Sequence, residues 1–122
     1  MQVLHRGRDG RMAREIGGAA YKARTEKSIG EAAHALERRG LADVRAPLDA
    51  LLAALSRHGD RLEDPEPVFA LTAHVAEELK RKAPDRHTLK TILAGIAEEA
   101  KPVREIVGPV LSLEDTAMAV FR

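Results

Sequence analysis

The stretch Asp64-Pro65-Glu66-Pro67-Val68-Phe69-Ala70-Leu71, continuing through Ala83-Pro84-Asp85 to Val107, decides the fold. Val68, Leu71, Val75 and Leu79 recur every three or four positions before Ala83-Pro84-Asp85, and Leu89, Ile92, Leu93 and Ile96 do so after it. That period lines one side of an α-helix with apolar groups, which must be buried against another element. Asp64 followed by Pro65 is a helix start, and Pro84 biases Ala83 away from helical geometry, so the first helix ends near Lys82. Asp85 caps the second helix, which runs towards Ala100. Isolated helices of this length are marginal in water, so the pair depends on further packing partners.

Those partners lie upstream and downstream. Val44, Leu48, Leu51, Leu52 and Leu55 form the cleanest helical face in the chain, with Asp43 or Ala46 as the cap, Pro47 in the first turn and Gly59 as the stop. Ser28-Ile29-Gly30-Glu31 has the spacing of a capping box and predicts a helix over Ile29–Arg39, with Ile29, Ala32, Ala33 and Leu36 inward and Gly40 at its end. Before it, residues 1–28 read as a poorly ordered basic arm, with a weak helical face in Met12, Ile16, Ala19, Ala20 and Ala23 interrupted by Gly17-Gly18. After Ala100, Pro102 either closes the preceding helix or begins another, Gly108-Pro109 predicts a kink or break, and a short terminal turn places Leu113, Ala117, Met118 and Phe121 inward. The expectation is an all-α antiparallel bundle of four to five helices over residues 29–122.

Composition agrees. Of 122 residues, 44% are hydrophobic, 32% charged and only 2% aromatic, so the core is Leu, Val, Ile and Ala, which favours helix on helix. There is no cysteine, which excludes disulfides, thiolate nucleophiles and sulfur-ligated zinc. No apolar run has signal-peptide or membrane-spanning length, which makes the expected location cytoplasmic and no membrane partner is expected. A net charge of +1 hides an asymmetry: residues 1–28 carry seven Lys/Arg against three acids, and the remainder 13 against 16.

Chemistry-bearing motifs are absent. His74 and Glu78 stand at i and i+4, but a metal site needs a third ligand and no cluster supplies one. No serine lies in a nucleophile elbow, and the adjacent pairs Glu77-Glu78 and Glu98-Glu99 diverge by about 100° on a helix, so a solvated face explains them. No catalytic residue, cofactor or metal is expected. Two surface features remain. The tail from Val103 to Phe121 places apolar residues on more than one face, with Ile106, Val107, Val110, Leu111 and Leu113 as candidates for a partner or self-association surface. Lys80, Arg81, Lys82, Arg86 and Lys90 form a basic cluster, a candidate nucleic-acid footprint opposed by an isoelectric point of about 8.2 and the scarcity of aromatics.

Arg61-Leu62-Glu63-Asp64-Pro65-Glu66, then Glu77-Glu78-Leu79-Lys80-Arg81-Lys82-Ala83-Pro84-Asp85-Arg86, then Leu89-Lys90-Thr91-Ile92-Leu93 resembles the small α-helical accessory modules of bacterial, especially actinobacterial, conflict and signalling systems. The resemblance covers residues 61–107 and implies adaptor or assembly contacts with effector proteins, with no catalytic residue. Together these observations predict a non-enzymatic helical interaction module, the alternative being a nucleic-acid-associated accessory protein that uses the basic arm and the Lys80–Lys90 cluster.

Overall fold

The computed structural model describes the backbone of residues 6–122 and the side chains of residues 20–122. Among the described residues there are five helices, α1 (Arg6–Arg38), α2 (Ala42–His58), α3 (Pro65–Lys80), α4 (Arg86–Glu99) and α5 (Arg104–Val120), with a single 3-10 turn at Gly59–Arg61. Among the described residues there is no strand, as expected, and no helix is long and apolar enough to cross a membrane.

The neighbours around the bundle run α1, α2, α5, α4, α3 and back to α1, a closed ring. Short turns make successive helices antiparallel, but a ring of five cannot alternate all the way round, and one pair must run parallel. That pair is α1 and α3. Thr25 meets Phe69, Lys80 meets Glu31, and Arg39 meets the carbonyl of Arg81, so both chains rise in the same direction. One core fills the ring, with Leu36, Leu48, Leu51, Leu79, Leu93 and Ile106 among the side chains excluded from solvent.

Three local expectations are corrected. No helix starts at Ser28: α1 passes through the capping-box residues without a break. Its turn before Ser28 also finds a surface, since Thr25 is buried and its hydroxyl donates to the Phe69 carbonyl at 2.8 Å, and Tyr21 packs edge-on against the Phe69 ring at 5.3 Å. Tertiary packing overrides a local start signal in this way. The expectations for residues 1–5, and for the side chains of Met12, Ile16, Ala19 and the rest of positions 6–19, lie outside the described residues.

Secondly, α2 begins at Ala42 with Leu41 at its cap position, so neither Asp43 nor Ala46 is the cap and Pro47 falls at the sixth helical position. The reason is the turn before it. Gly40 takes φ +73, the Gly40 N–H donates to the Glu37 carbonyl at 3.1 Å and the Leu41 N–H to the Leu36 carbonyl at 2.9 Å. This left-handed cap closes α1 and delivers the chain directly into α2.

Thirdly, Gly108-Pro109 does not break α5, which runs unbroken to Val120. A proline inside a helix costs about 3 kcal/mol. Val110, Leu113 and Ala117 beyond it are all fully buried, and each large side chain contributes about 1.5–3 kcal/mol on burial, so continuity wins.

Candidate functional site

The tail residues separate on inspection. Ile106, Val110 and Leu113 are fully buried, so these three are core and not a partner surface, contrary to the expectation from sequence. Val107 is half-buried against the core edge, and only Leu111, 48% exposed, faces solvent. α5 is flanked by both α2 and α4, and a helix with two neighbours needs apolar groups on more than one face.

The basic cluster separates too. The Lys80 ammonium donates to Glu31 at 2.7 Å and pairs with Glu77 at 2.9 Å, and these carboxylates hold its pKa above the ordinary lysine value. Arg81 pairs with Glu78 at 3.0 Å. Lys90 is exposed on α4, while Lys82 and Arg86 line a cavity of about 610 Å3. Arg39 from the end of α1 and Arg122 from the end of α5 line it as well, and sequence reasoning missed both. The available signal was an arginine within a residue or two of a helix carboxyl end, a place where free carbonyls attract cations.

The carbonyls account for the geometry of these arginines. Arg39 Nη1 donates to the carbonyls of Leu79 and Arg81, and Nη2 to that of Lys82, each at 3.3 Å. Arg86 Nε donates to the Met118 carbonyl at 3.4 Å and Arg122 Nε to the Ala119 carbonyl at 3.1 Å. Among the described residues the Nη forks of Arg86 and Arg122 carry no further hydrogen bond. A guanidinium tied down at Nε with its fork open is set for bidentate contact with a carboxylate or phosphate.

One wall of the cavity is the α3–α4 turn, and Glu78 holds it. Glu78 was expected on a solvated face; it is 9% exposed, and its Oε2 accepts from the Asp85 N–H at 2.6 Å as well as from Arg81. Asp85 caps α4 as anticipated, accepting from the Thr88 N–H at 2.8 Å and hydroxyl at 2.6 Å. Those two Thr88 contacts hold its carboxyl below the usual aspartate range, so it stays ionised at neutral pH.

The side chains lining the cavity are therefore four cations and one carboxylate, a side-chain net of +3. Three helix carboxyl ends (α1, α3, α5) and two amino ends (α2, α4) also gather at this end of the ring. At roughly half a charge each they sum to about −0.5, too little to cancel the side chains. The rim is cationic, and Pro84, Val120 and Phe121 supply an apolar floor.

A second cavity of about 560 Å3 lies between α2 and α5, lined by small groups such as Ala46, Pro47, Ala50, Gly108, Pro109 and Ser112. No charged or nucleophilic cluster faces it. His74 is exposed and its neighbour Glu78 is committed to Asp85 and Arg81, so the two do not form a ligand pair. Among the described residues no group of three or more His, Cys, Asp or Glu could hold a metal ion. Comparisons with protein-family models, with curated proteins and with solved structures find no match to this chain.

Proposed function

We propose that this chain is a non-enzymatic helical interaction module that engages an acidic segment of a protein partner in the cationic cavity at the α1, α3 and α5 carboxyl ends. The observation that carries the reading is the pair of guanidinium groups, Arg86 and Arg122, anchored through Nε on helix-end carbonyls in a cavity that Pro84, Val120 and Phe121 also line. Complementary charge steers association and sets register, and the apolar floor gives a seated side chain somewhere to leave water. The resemblance of residues 61–107 to bacterial accessory modules implies adaptor contacts of the same kind and belongs to this proposal.

Nucleic acid is the second reading, favoured by the same net positive cavity. Against it stand the internal ion pairs of Lys80 and Arg81, which remove two cations from the expected footprint, and a single aromatic, Phe121, at the cavity. Base stacking needs more than that.

Fluorescence anisotropy with a labelled Glu/Asp-rich peptide tests the proposal, with a single-stranded oligonucleotide of equal charge as the other arm. Peptide binding that weakens about fivefold with each of Lys82→Ala and Arg86→Ala is expected, on the order of 1 kcal/mol per exposed pair. Peptide indifference to both substitutions overturns it, and tighter oligonucleotide binding moves the function to nucleic acid.

A further inference from the structure

One segment at the other end of the ring carries charge of the opposite sign. There the chain passes from the 3-10 turn through Leu62-Glu63-Asp64 into α3, and Glu63, Asp64, Glu66 and Pro67 are all exposed. Leu62, 5% exposed, pins the loop to the core. Asp64 occupies the cap position of α3 without accepting a capping hydrogen bond, so its carboxylate is left to solvent, whereas Asp85 turns back onto Thr88 at the equivalent place in α4. Two of the neighbouring bases are already engaged: Lys22 pairs with Asp60 at 3.3 Å and Arg61 with Glu105 at 3.1 Å. Among the described residues Glu63, Asp64 and Glu66 have no ion-pair partner. The helix dipole accounts for Asp64 at the cap position and Glu66 in the first turn of α3, but not for Glu63.

We infer that the acidic segment Glu63–Pro67 of one molecule, the end of the connection and the first turn of α3, seats in the cationic cavity of a second copy, so that the bundles associate head to tail. The inference rests on the cavity being the docking site proposed above and adds that the acidic segment is this chain's own. Three carboxylates on the segment meet a cavity whose lining side chains net +3. Pro65, Glu66 and Pro67 form the first turn of α3, so the exposed Pro67 ring can lie against Pro84, Val120 and Phe121 while neighbouring carboxylates of Glu63, Asp64 and Glu66 reach the rim. Proline also restricts the unbound segment, which lowers the ordering entropy of docking.

Geometry makes the contact intermolecular. The segment opens α3 and the cavity follows it, and the helix's 16 residues at about 1.5 Å each separate the two by about 24 Å. A segment docking into a different surface is a heterologous contact, which propagates as an open row and does not close into a two-fold dimer. Its footprint of a few residues is far below the roughly 20–30 per side of a stable interface, so the association is weak and salt-sensitive.

Light scattering on the full chain tests this, from micromolar to about millimolar concentration at about 20 mM and about 300 mM salt. The expected result is a mean mass that climbs with concentration past two chains at low salt and returns to 13.3 kDa at high salt. Lys82→Ala/Arg86→Ala has an intact acidic segment, Glu63→Ala/Glu66→Ala an intact cavity; each alone stays monomeric, and their equimolar mixture gives a species of two chains and nothing larger. Circular dichroism melts matching the parent chain's show that both variants are folded. A parent chain that stays at 13.3 kDa throughout overturns the inference, as does association that survives either double substitution. If the parent chain is monomeric yet binds the labelled acidic peptide, the docking function stands and only the head-to-tail assignment falls; if it neither associates nor binds peptide, both fall.

Discussion

The α1–α3 seam and the α2–α5 seam bury apolar faces in one ring, yet they are fastened by different means. Along α1 and α3 the contacts are polar and specific: Thr25 to the Phe69 carbonyl, Lys80 to Glu31, and Arg39 to three carbonyls at the end of α3. Between α2 and α5 the described residues form no ion pair, Arg61 of the adjoining 3-10 turn pairing with Glu105 instead; buried aliphatic side chains fill the seam and small residues such as Ala46, Pro47, Ala50 and Gly108 line its outer edge. The difference follows from direction. Parallel helices place like ends of their dipoles side by side, while antiparallel helices place opposite ends together. The orientation that electrostatics disfavours is the one that carries directional bonds, and the favoured one is held by shape.

Phe69→Ala should show this contrast most strongly. It removes the ring that Tyr21 packs against, in a position 2% exposed, and is expected to destabilise by about 3–5 kcal/mol in urea unfolding. A loss below about 1 kcal/mol would mean that the parallel seam does not depend on its aromatic pair. Next comes Thr25→Val, which keeps the shape and deletes a buried donor; about 1 kcal/mol is expected. The glycines should then differ in sign. A Cβ on Gly59 would lie 3.1 Å from the Phe69 ring, which is buried and packs edge-on with Tyr21, so Gly59→Ala is expected to destabilise by about 1 kcal/mol. Nothing lies within 4 Å of a Cβ on Gly108, so Gly108→Ala should stabilise α5 by about 0.5–1 kcal/mol. Equal effects from the two glycine substitutions would erase the distinction between the seams.

The smallest effect is the pH dependence at Glu77 and Lys80 of the parallel seam. Lys80, and after it Ser28, lowers the Glu77 pKa below the ordinary glutamate value of 4.5, so its contribution is full above that value and is lost as pH falls through the folded one. Lys80 is raised above 10.5, first by Glu31 and then by Glu77, so its contribution is full below that value and is lost as pH rises through the folded one. Thermal melts should therefore plateau between about pH 5 and pH 10, and Lys80→Met should remove the alkaline decline attributable to this pair and flatten the acid one. Melts of the Lys80→Met protein that track the parent chain's at both extremes would show the pair to be inert. Both groups are partly exposed, so solvent screening keeps the changes small.

Periodicity made the helices legible. Val68, Val75 and Leu79, or Leu48, Leu51 and Leu55, are buried where a 3.6-residue repeat places them. Direction and neighbours were not legible, because a helical face says that something must cover it but not what. Ser28-Ile29-Gly30-Glu31 is a sound local start signal, defeated by Thr25 and Tyr21 finding Phe69 some forty residues away. Glu78 looked like one of a solvated pair until the turn to Asp85 folded back over it. Of the cavity, Lys82 and Arg86 were singled out from sequence; Arg39 and Arg122 were not, since only the closed ring brings the ends of α1 and α5 to the same place. The apolar tail misled for the same reason, as Ile106, Val110 and Leu113 are core once α2 and α4 are both in position.

Tyr21 is the only tyrosine, there is no tryptophan, and its ring stands 5.3 Å from Phe69. The molecule thus has a single intrinsic fluorophore excited near 280 nm, positioned on the parallel seam. Tyrosine emission reports the undocking of α1 from α3, whereas far-ultraviolet dichroism reports every helix at once. Superimposed melting curves from the two signals would mean that the ring opens as a unit; an earlier optical transition at Tyr21 would mean that it unzips from that seam.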